Sequence, residues 1–157
     1  MLLAEALAVR ADQQKLLKEL TSRIEDNARI PEGARPDEDP VALLERAAAV
    51  AGEWTRLVQR INRTNAGTVA DVEVGTTVTD LIAERDRAQR MTQLYRAAAQ
   101  AGTRGRGRSW LSREGDSPTK AAVDVTSLQA EADTWAARYR EVDVRLQQLN
   151  WSTHLAE

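Results

Sequence analysis

Two asparagines interrupt an otherwise apolar helical stripe near the middle of the sequence. Asn62 and Asn65 lie three residues apart in the run Ile61-Asn62-Arg63-Thr64-Asn65, a spacing that puts both amides on one face of a helix. A buried amide has up to four hydrogen-bonding positions that need partners. The pattern therefore has two interpretations: a polar layer that sets helix register, as buried Asn does in coiled coils, or a ligand-binding site.

An adjacent pair of opposite charges, Arg85 and Asp86, crosses the weaker apolar stripe of a later segment. Charges on a partly apolar face predict pairing with another helix, for which Asp12, Gln13 and Asn62 are the candidate partners. The alternative is a solvated face with pairs inside one helix, such as Asp86 with Arg90. We expect both amides, Asn62 and Asn65, to be largely buried, and if the face of Arg85 and Asp86 is inward, these two charges are among their likeliest partners.

The end of the chain contains Asn150, Trp151 and the single histidine, His154. Trp151 is interpreted as an apolar anchor and Asn150 as the end of the last helix, so we expect the tail to pack. His154 has no carboxylate or nucleophile beside it in the sequence. Since catalysis requires a constellation of groups, we interpret this histidine as incidental.

An Arg- and Gly-rich run at positions 103–108 is similar to segments that bind single-stranded nucleic acid. Only Trp110 supplies an aromatic ring nearby, and the formal net charge of the chain is -2, which opposes a nucleic-acid partner. A solvated loop is the preferred interpretation, an arm between subunits the next, and nucleic-acid binding the last.

Several classes of site are missing from the sequence. It contains no Cys, which excludes thiol catalysis, disulfides and thiolate zinc sites, and no phosphate-binding loop, dinucleotide-binding, HExxH or Gly-x-Ser-x-Gly motif. We therefore expect no metal or cofactor, and a non-enzymatic protein is favoured. The longest apolar run, at positions 47–51, is far short of the roughly 20 residues of a membrane helix. With no basic stretch and apolar run at the N-terminus, we expect a cytoplasmic protein that does not enter a membrane.

Apolar periodicity predicts an all-α protein of four long helices in antiparallel hairpins, forming one domain over 1–157. The predicted helices cover about 2–27, 41–65, 78–101 and 126–150, with a Pro-rich linker at 28–40 and a long loop or arm at 102–124 that could hold a small β-arm. Asp39-Pro40 predicts a capped start of the second helix, and Thr126 with Gln129 forms a capping-box pattern at the start of the fourth. A short extended stretch is predicted between 66 and 76.

The predicted seams are narrow. The second and fourth helices have narrow apolar stripes with heptad spacing. The apolar stripe of the first helix is interrupted by a polar residue, Gln13. The stripe of the second helix consists of Leu44, Ala47, Ala51, Trp54, Val58, Ile61 and Asn65. Narrow seams and 26 alanines suit helical hairpins in close contact, which leave flanks that other copies of the chain can cover.

Six short blocks in this order resemble a family of small bacterial all-helical proteins, some labelled septicolysin. The blocks are Leu3–Leu7 with Arg10–Asp12, Ile61–Asn65, Leu81 with Arg85–Asp86, Val123–Val125, Tyr139–Asp143 and Asn150–Thr153. The resemblance implies a helical homo-oligomer, a hexamer by preference, without an established activity. The label implies a thiol-activated toxin, from which this Cys-free chain departs.

These patterns support two alternative hypotheses for the function of the protein. The first is a homo-oligomeric structural or interaction protein, with a dimer as the simplest assembly that the residues themselves suggest. The alternative is a small-molecule-binding protein or enzyme with a polar cavity lined by Asn62, Asn65, Arg85, Asp86 and Asn150.

Overall fold

A computed structural model describes residues 1–103 and 120–157. Four long helices dominate this part of the chain: α1 (Leu3–Asn27), α2 (Pro40–Gly67), α3 (Val78–Thr103) and α4 (Val125–Ser152). Each begins and ends within two residues of the predicted bounds, and the all-α prediction is confirmed.

A small antiparallel sheet occupies the connection between α2 and α3. Strand β1 (Val69–Asp71) pairs with β2 (Thr76–Thr77). Asp71 Oδ1 accepts hydrogen bonds from the backbone N–H groups of Glu73 and Val74 at 3.0 and 3.4 Å, and Gly75 has a φ of +70° that favours glycine. The predicted extended stretch is thus a tight hairpin. Most of the β-arm proposed for 102–124 lies outside the described residues, and residues 120–124 contain no strand.

The chain divides into two compact units, Met1–Thr77 with Gln148–Glu157, and Val78–Gln147. The first unit is built on the α1–α2 hairpin. Its core joins the start of α1 to the end of α2, so the helices are antiparallel; it consists of Leu3, Ala6, Leu57, Ile61 and Leu155.

At both ends of α2, the buried stripe lies one position before the predicted stripe. Leu43 is 5% exposed, whereas Leu44, which the prediction placed inward, is 54% exposed. At the other end, Thr64 is buried and Asn65 is half-buried. Both stripes pass through Trp54 and Ile61, so the sequence pattern alone allows either; contact with α1 selects the one that starts at Leu43.

Polar atoms are buried in the two helices of this hairpin. Gln13 lies on the apolar stripe of α1, and its Oε1 atom is buried without a hydrogen-bond partner among the described residues. The same holds for Nε1 of Trp54 on α2. A buried acceptor or donor that stays unpaired costs about 1–3 kcal/mol, so Gln13 is a position at which an apolar replacement can be tested.

The linker is fastened to the end of α1. Glu38 accepts hydrogen bonds from the Arg23 guanidinium, one of them 2.8 Å from Nε, and its backbone N–H donates to Asn27 Oδ1 at 3.0 Å. The hydrogen bond from Arg23 holds the pKa of Glu38 below its usual range. Because the pKa of Glu38 is lower in the folded state than in the unfolded state, its ionised carboxylate stabilises the fold at pH values above its unfolded-state pKa. This stabilisation is lost as the pH falls through the folded-state pKa of Glu38.

Asp39 caps α2 as predicted, because its Oδ1 accepts a hydrogen bond from the backbone N–H of Val41 at 2.9 Å. Asp39→Ala is expected to lower the free energy of unfolding by about 1 kcal/mol. Urea unfolding followed by circular dichroism measures this loss. Asp37→Ala is the matched control, since Asp37 is exposed and lies two residues before the capping residue Asp39. Equal losses in the two variants would contradict the capping role.

The second unit is the antiparallel α3–α4 hairpin. Here Gly102 near the end of α3 lies against Val125 at the start of α4, where a Cβ on Gly102 would come within 2.8 Å of Val125 Cγ2. The predicted capping box at Thr126 is wrong: Asp124 caps α4, and its Oδ1 accepts from the N–H groups of Thr126 and Ser127 at 3.0 and 3.2 Å.

Candidate functional site

The Asn-rich run near the end of α2 presents a hydroxyl, and not an amide, to the interior. Asn62 and Arg63 are exposed, so the predicted burial of Asn62 is wrong; the inward seam passes through Ile61 and Thr64. Asn65 is half-buried. The predicted pairing of the amides with Arg85 and Asp86 joins different units and stays a prediction.

Thr64 instead binds the C-terminal tail. Its Oγ1 donates to the carbonyl of Arg60 at 2.9 Å and accepts from the backbone N–H of Ala156 at 2.9 Å. Arg60 Nε donates to the carbonyl of Ala156 at 2.8 Å. A short hydroxyl inside the helical turn can satisfy both groups, which is why the position suits threonine. Nothing in the sequence of α2 identified this role.

The two ends of the chain pair with each other. Leu3 N–H donates to the carbonyl of Thr153 at 2.9 Å, and Leu155 N–H donates to the carbonyl of Met1 at 3.0 Å, so Leu2 and His154 form an antiparallel bridge. The prediction that the tail packs is confirmed.

The anchor of this tail is Leu155 and not Trp151. Leu155 is 8% exposed and belongs to the core, whereas Trp151 is 65% exposed and His154 is also exposed. The prediction for Trp151 is wrong: Trp151 lies in the last turn of α4, which continues to Ser152, and its ring is on the exposed side of the helix. Asn150 lies within the helix, half-buried, and does not end it.

Arg85 makes a charge cluster on the α3–α4 hairpin. Its Nη2 lies 2.9 Å from Asp86 Oδ1, and its Nη1 lies 3.9 Å from Asp143 Oδ1 on α4. Asp143 also accepts from Gln147 Nε2 at 2.8 Å. A charge pair with another helix was predicted, and the pair exists, but its partner is Asp143.

A second set of charges joins the same two helices. Arg138 of α4 binds Glu84 of α3 at 3.3 Å and Glu141 at 3.0 Å, and these hydrogen bonds, the one to Glu141 first, raise the pKa of Arg138. The Arg87 guanidinium lies 5.0 Å from the ring centroid of Trp135, a cation–π distance. The contact of Arg138 with Glu84 and that of Arg87 with Trp135 both join α3 to α4.

An open groove runs along the α3–α4 hairpin. One part, about 720 Å3, is lined by Arg96, Ala99, Gln100, Thr103, Gln129, Ala132 and Asp133. An adjoining part of about 350 Å3 shares Arg96 and is lined further by Gln89, Thr92, Gln93, Ala136, Tyr139 and Arg140. We call the two parts together the hairpin groove. Small side chains form its floor, and amides and charges form its rim; none of its residues was predicted as a site.

Three charged side chains lie on the rim of the groove. Arg96, Asp133 and Arg140 form no ion pair within the part of the chain that the structure describes. Because Gly102 lies opposite Val125 and Arg85 opposite Asp143, Arg96 and Asp133 stand opposite each other across the groove. The groove therefore carries one charge of each sign at the same level.

Two further properties concern residues 1–103 and 120–157. No group of three or more His, Asp or Glu side chains there is arranged to hold a metal ion. No helix in that part of the chain combines the length and apolar character needed to cross a membrane.

Comparison with known proteins gives a family and a structural relative. No curated protein matches the sequence. A crystal structure of a functionally unknown conserved protein from Corynebacterium diphtheriae is similar, with a TM-score of 0.89 and 34% identity over 99% of each chain. The model of a family of unknown function, DUF6847, matches residues 10–155, and neither finding bears the septicolysin label. This chain belongs to the DUF6847 family of unknown function.

Proposed function

We propose that this protein acts by assembling with copies of itself into a closed homo-oligomer that serves as a structural or interaction protein. The resemblance in sequence suggests a hexamer, and a two-fold dimer is the simplest unit from which one can be built. No catalytic step is part of this proposal.

The observation that carries the proposal is the thin core of the α3–α4 hairpin. Its buried residues are few and mostly small: Val78, Ala88, Thr92, Ala99, Ala132, Val142 and Leu146. Two helices alone form one layer, whereas stable domains pack at least two layers around a core. The open groove on this layer provides the face on which a further layer can pack.

Native mass spectrometry of protein purified from its own host tests the proposal. The expected result is an oligomer, with a mass of two or more times the 17.4 kDa chain mass, that persists at micromolar concentration. Sedimentation velocity over the same concentrations is the independent check. A single 17.4 kDa species throughout would overturn the proposal.

The alternative is a small-molecule-binding protein. The open groove contains Arg96 and Arg140, which have no ion-pair partner among the described residues. It supports this second candidate better than the cavity predicted around Asn62, Asn65 and Arg85, since Arg85 is paired with Asp86 and Asp143. The same mass spectrum distinguishes it, because a retained ligand adds mass to each chain. We propose no cytolytic activity, because a thiol-activated mechanism requires a Cys and the chain has none.

A further inference from the structure

We infer that the hairpin groove is the surface on which a second copy of the same hairpin docks, with α3 of one copy over α4 of the other. This inference rests on the proposed self-assembly and adds the surface, the orientation and the residues that specify it. The result is a four-helix bundle made from two hairpins, an arrangement that adds a second layer to the thin core of each hairpin.

The first argument is charge complementarity. Arg96 and Asp133 lie opposite each other across the groove and form no ion pair within residues 1–103 and 120–157. Both are exposed, so a partner can reach them. A two-fold axis parallel to the hairpin keeps residues at the same level and exchanges α3 with α4. Arg96 of one copy then meets Asp133 of the other, and the symmetry makes this ion pair twice.

The same two-fold rotation also brings the other polar side chains of the rim next to suitable partners in the second copy. Gln100 meets Gln129 of the second copy, whose amides can pair donor to acceptor, and Gln89 meets Arg140, whose guanidinium can donate to the amide oxygen. No like charges are brought together. An axis perpendicular to the hairpin would instead place α3 over α3, and it would lose this matching.

The second argument is the shape of the floor. Ala99 and Ala132 are each 2% exposed, and Thr92 and Ala136 extend the same floor of short side chains. Short side chains let facing helices approach to the 8–10 Å separation of packed helices. Buried apolar surface supplies the affinity, and the ion pairs specify the register and orientation.

A charge-swap experiment tests the inferred surface. Arg96→Glu and Asp133→Lys are made singly and together in the full chain, and the dissociation constant of self-association is measured by sedimentation equilibrium. Each single variant is expected to raise this constant at least tenfold, since it creates two like-charge contacts in the symmetric pair. The double variant is expected to return within about threefold of the wild type. Arg90→Glu and Glu131→Lys are the matched controls, because both residues are exposed on the same helices but do not line the groove.

The outcomes separate this inference from the proposed function. If the wild type assembles and the single variants assemble equally well, the groove is not the interface, whereas self-assembly stands. If the wild type is a monomer, both are overturned. A single variant that loses helical content would confuse the result, so a second measurement uses milder changes.

Mixed cysteine variants provide that measurement, because the chain has no Cys of its own. Gln100→Cys protein is mixed with Gln129→Cys protein and oxidised mildly. The inferred orientation predicts a disulfide-linked heterodimer that exceeds either homodimer at least fivefold. The matched mixture of Arg90→Cys with Glu131→Cys should give no such excess. Equal yields in the two mixtures, or an excess of the Gln100→Cys homodimer, would overturn the orientation.

Discussion

Replacing Leu155 with alanine is expected to lower the free energy of unfolding by about 2–5 kcal/mol, the range for large-to-small changes in a core. Leu155 is the residue through which the tail reaches the core formed by Leu3, Ala6, Leu57 and Ile61. Its removal leaves a cavity there. It also weakens the hold on the neighbouring Ala156, whose backbone bonds to Thr64 and Arg60. Urea unfolding followed by circular dichroism at 222 nm measures the loss.

Trp151→Ala is the matched control for Leu155→Ala. It removes a larger apolar side chain only four residues away, but one that is mostly exposed, so a change within about 0.5 kcal/mol is expected. Both variants are compared with the wild type at the same protein concentration, since self-association would add to stability. A larger loss for Trp151→Ala than for Leu155→Ala would contradict the structure of the tail.

Gln13→Leu is expected to raise the free energy of unfolding by about 1–3 kcal/mol. The change removes a buried acceptor without a partner in the described residues and replaces it with an apolar side chain of similar size. The increase is measured by the same urea unfolding, with the midpoint compared at an unchanged slope.

Gln14→Leu controls for the added apolar surface, because Gln14 is exposed and its replacement should change stability by less than about 0.5 kcal/mol.

A polar residue in a seam can also specify the register of the helices. If Gln13 has this role, the more stable Gln13→Leu variant should show more than one set of amide resonances. A loss of stability in Gln13→Leu would contradict the absence of a partner for Oε1. Trp54→Phe would then test whether the buried Nε1 of Trp54 is the donor.

Local signals in the sequence were enough to predict the helices. Periodicity located all four helices, and the Asp39-Pro40 pair predicted the start of α2, because an N-cap and a proline at the first turn act within a few residues.

The details of side-chain burial required the tertiary structure. Leu43 and Leu44 are adjacent leucines on overlapping stripes, and only the contact with α1 decides which is buried; the same shift exchanges Asn65 for Thr64 at the other end of α2. Trp151 has a larger apolar side chain than Leu155, but it lies on the exposed side of α4. The tail after α4 pairs with the first residues of the chain, and this places Leu155 in the core.

The sequence by itself thus determined the number, length and limits of the helices, because these depend on neighbours three and four residues away. Only the tertiary structure decided that Asp143 is the partner of Arg85 on α4, that Thr64 binds the tail, and that Arg96 and Asp133 face each other across a groove. The residues of each of these sets are separated by tens of positions along the chain. Their meeting depends on how the helices pair and in which register, which periodicity alone leaves open.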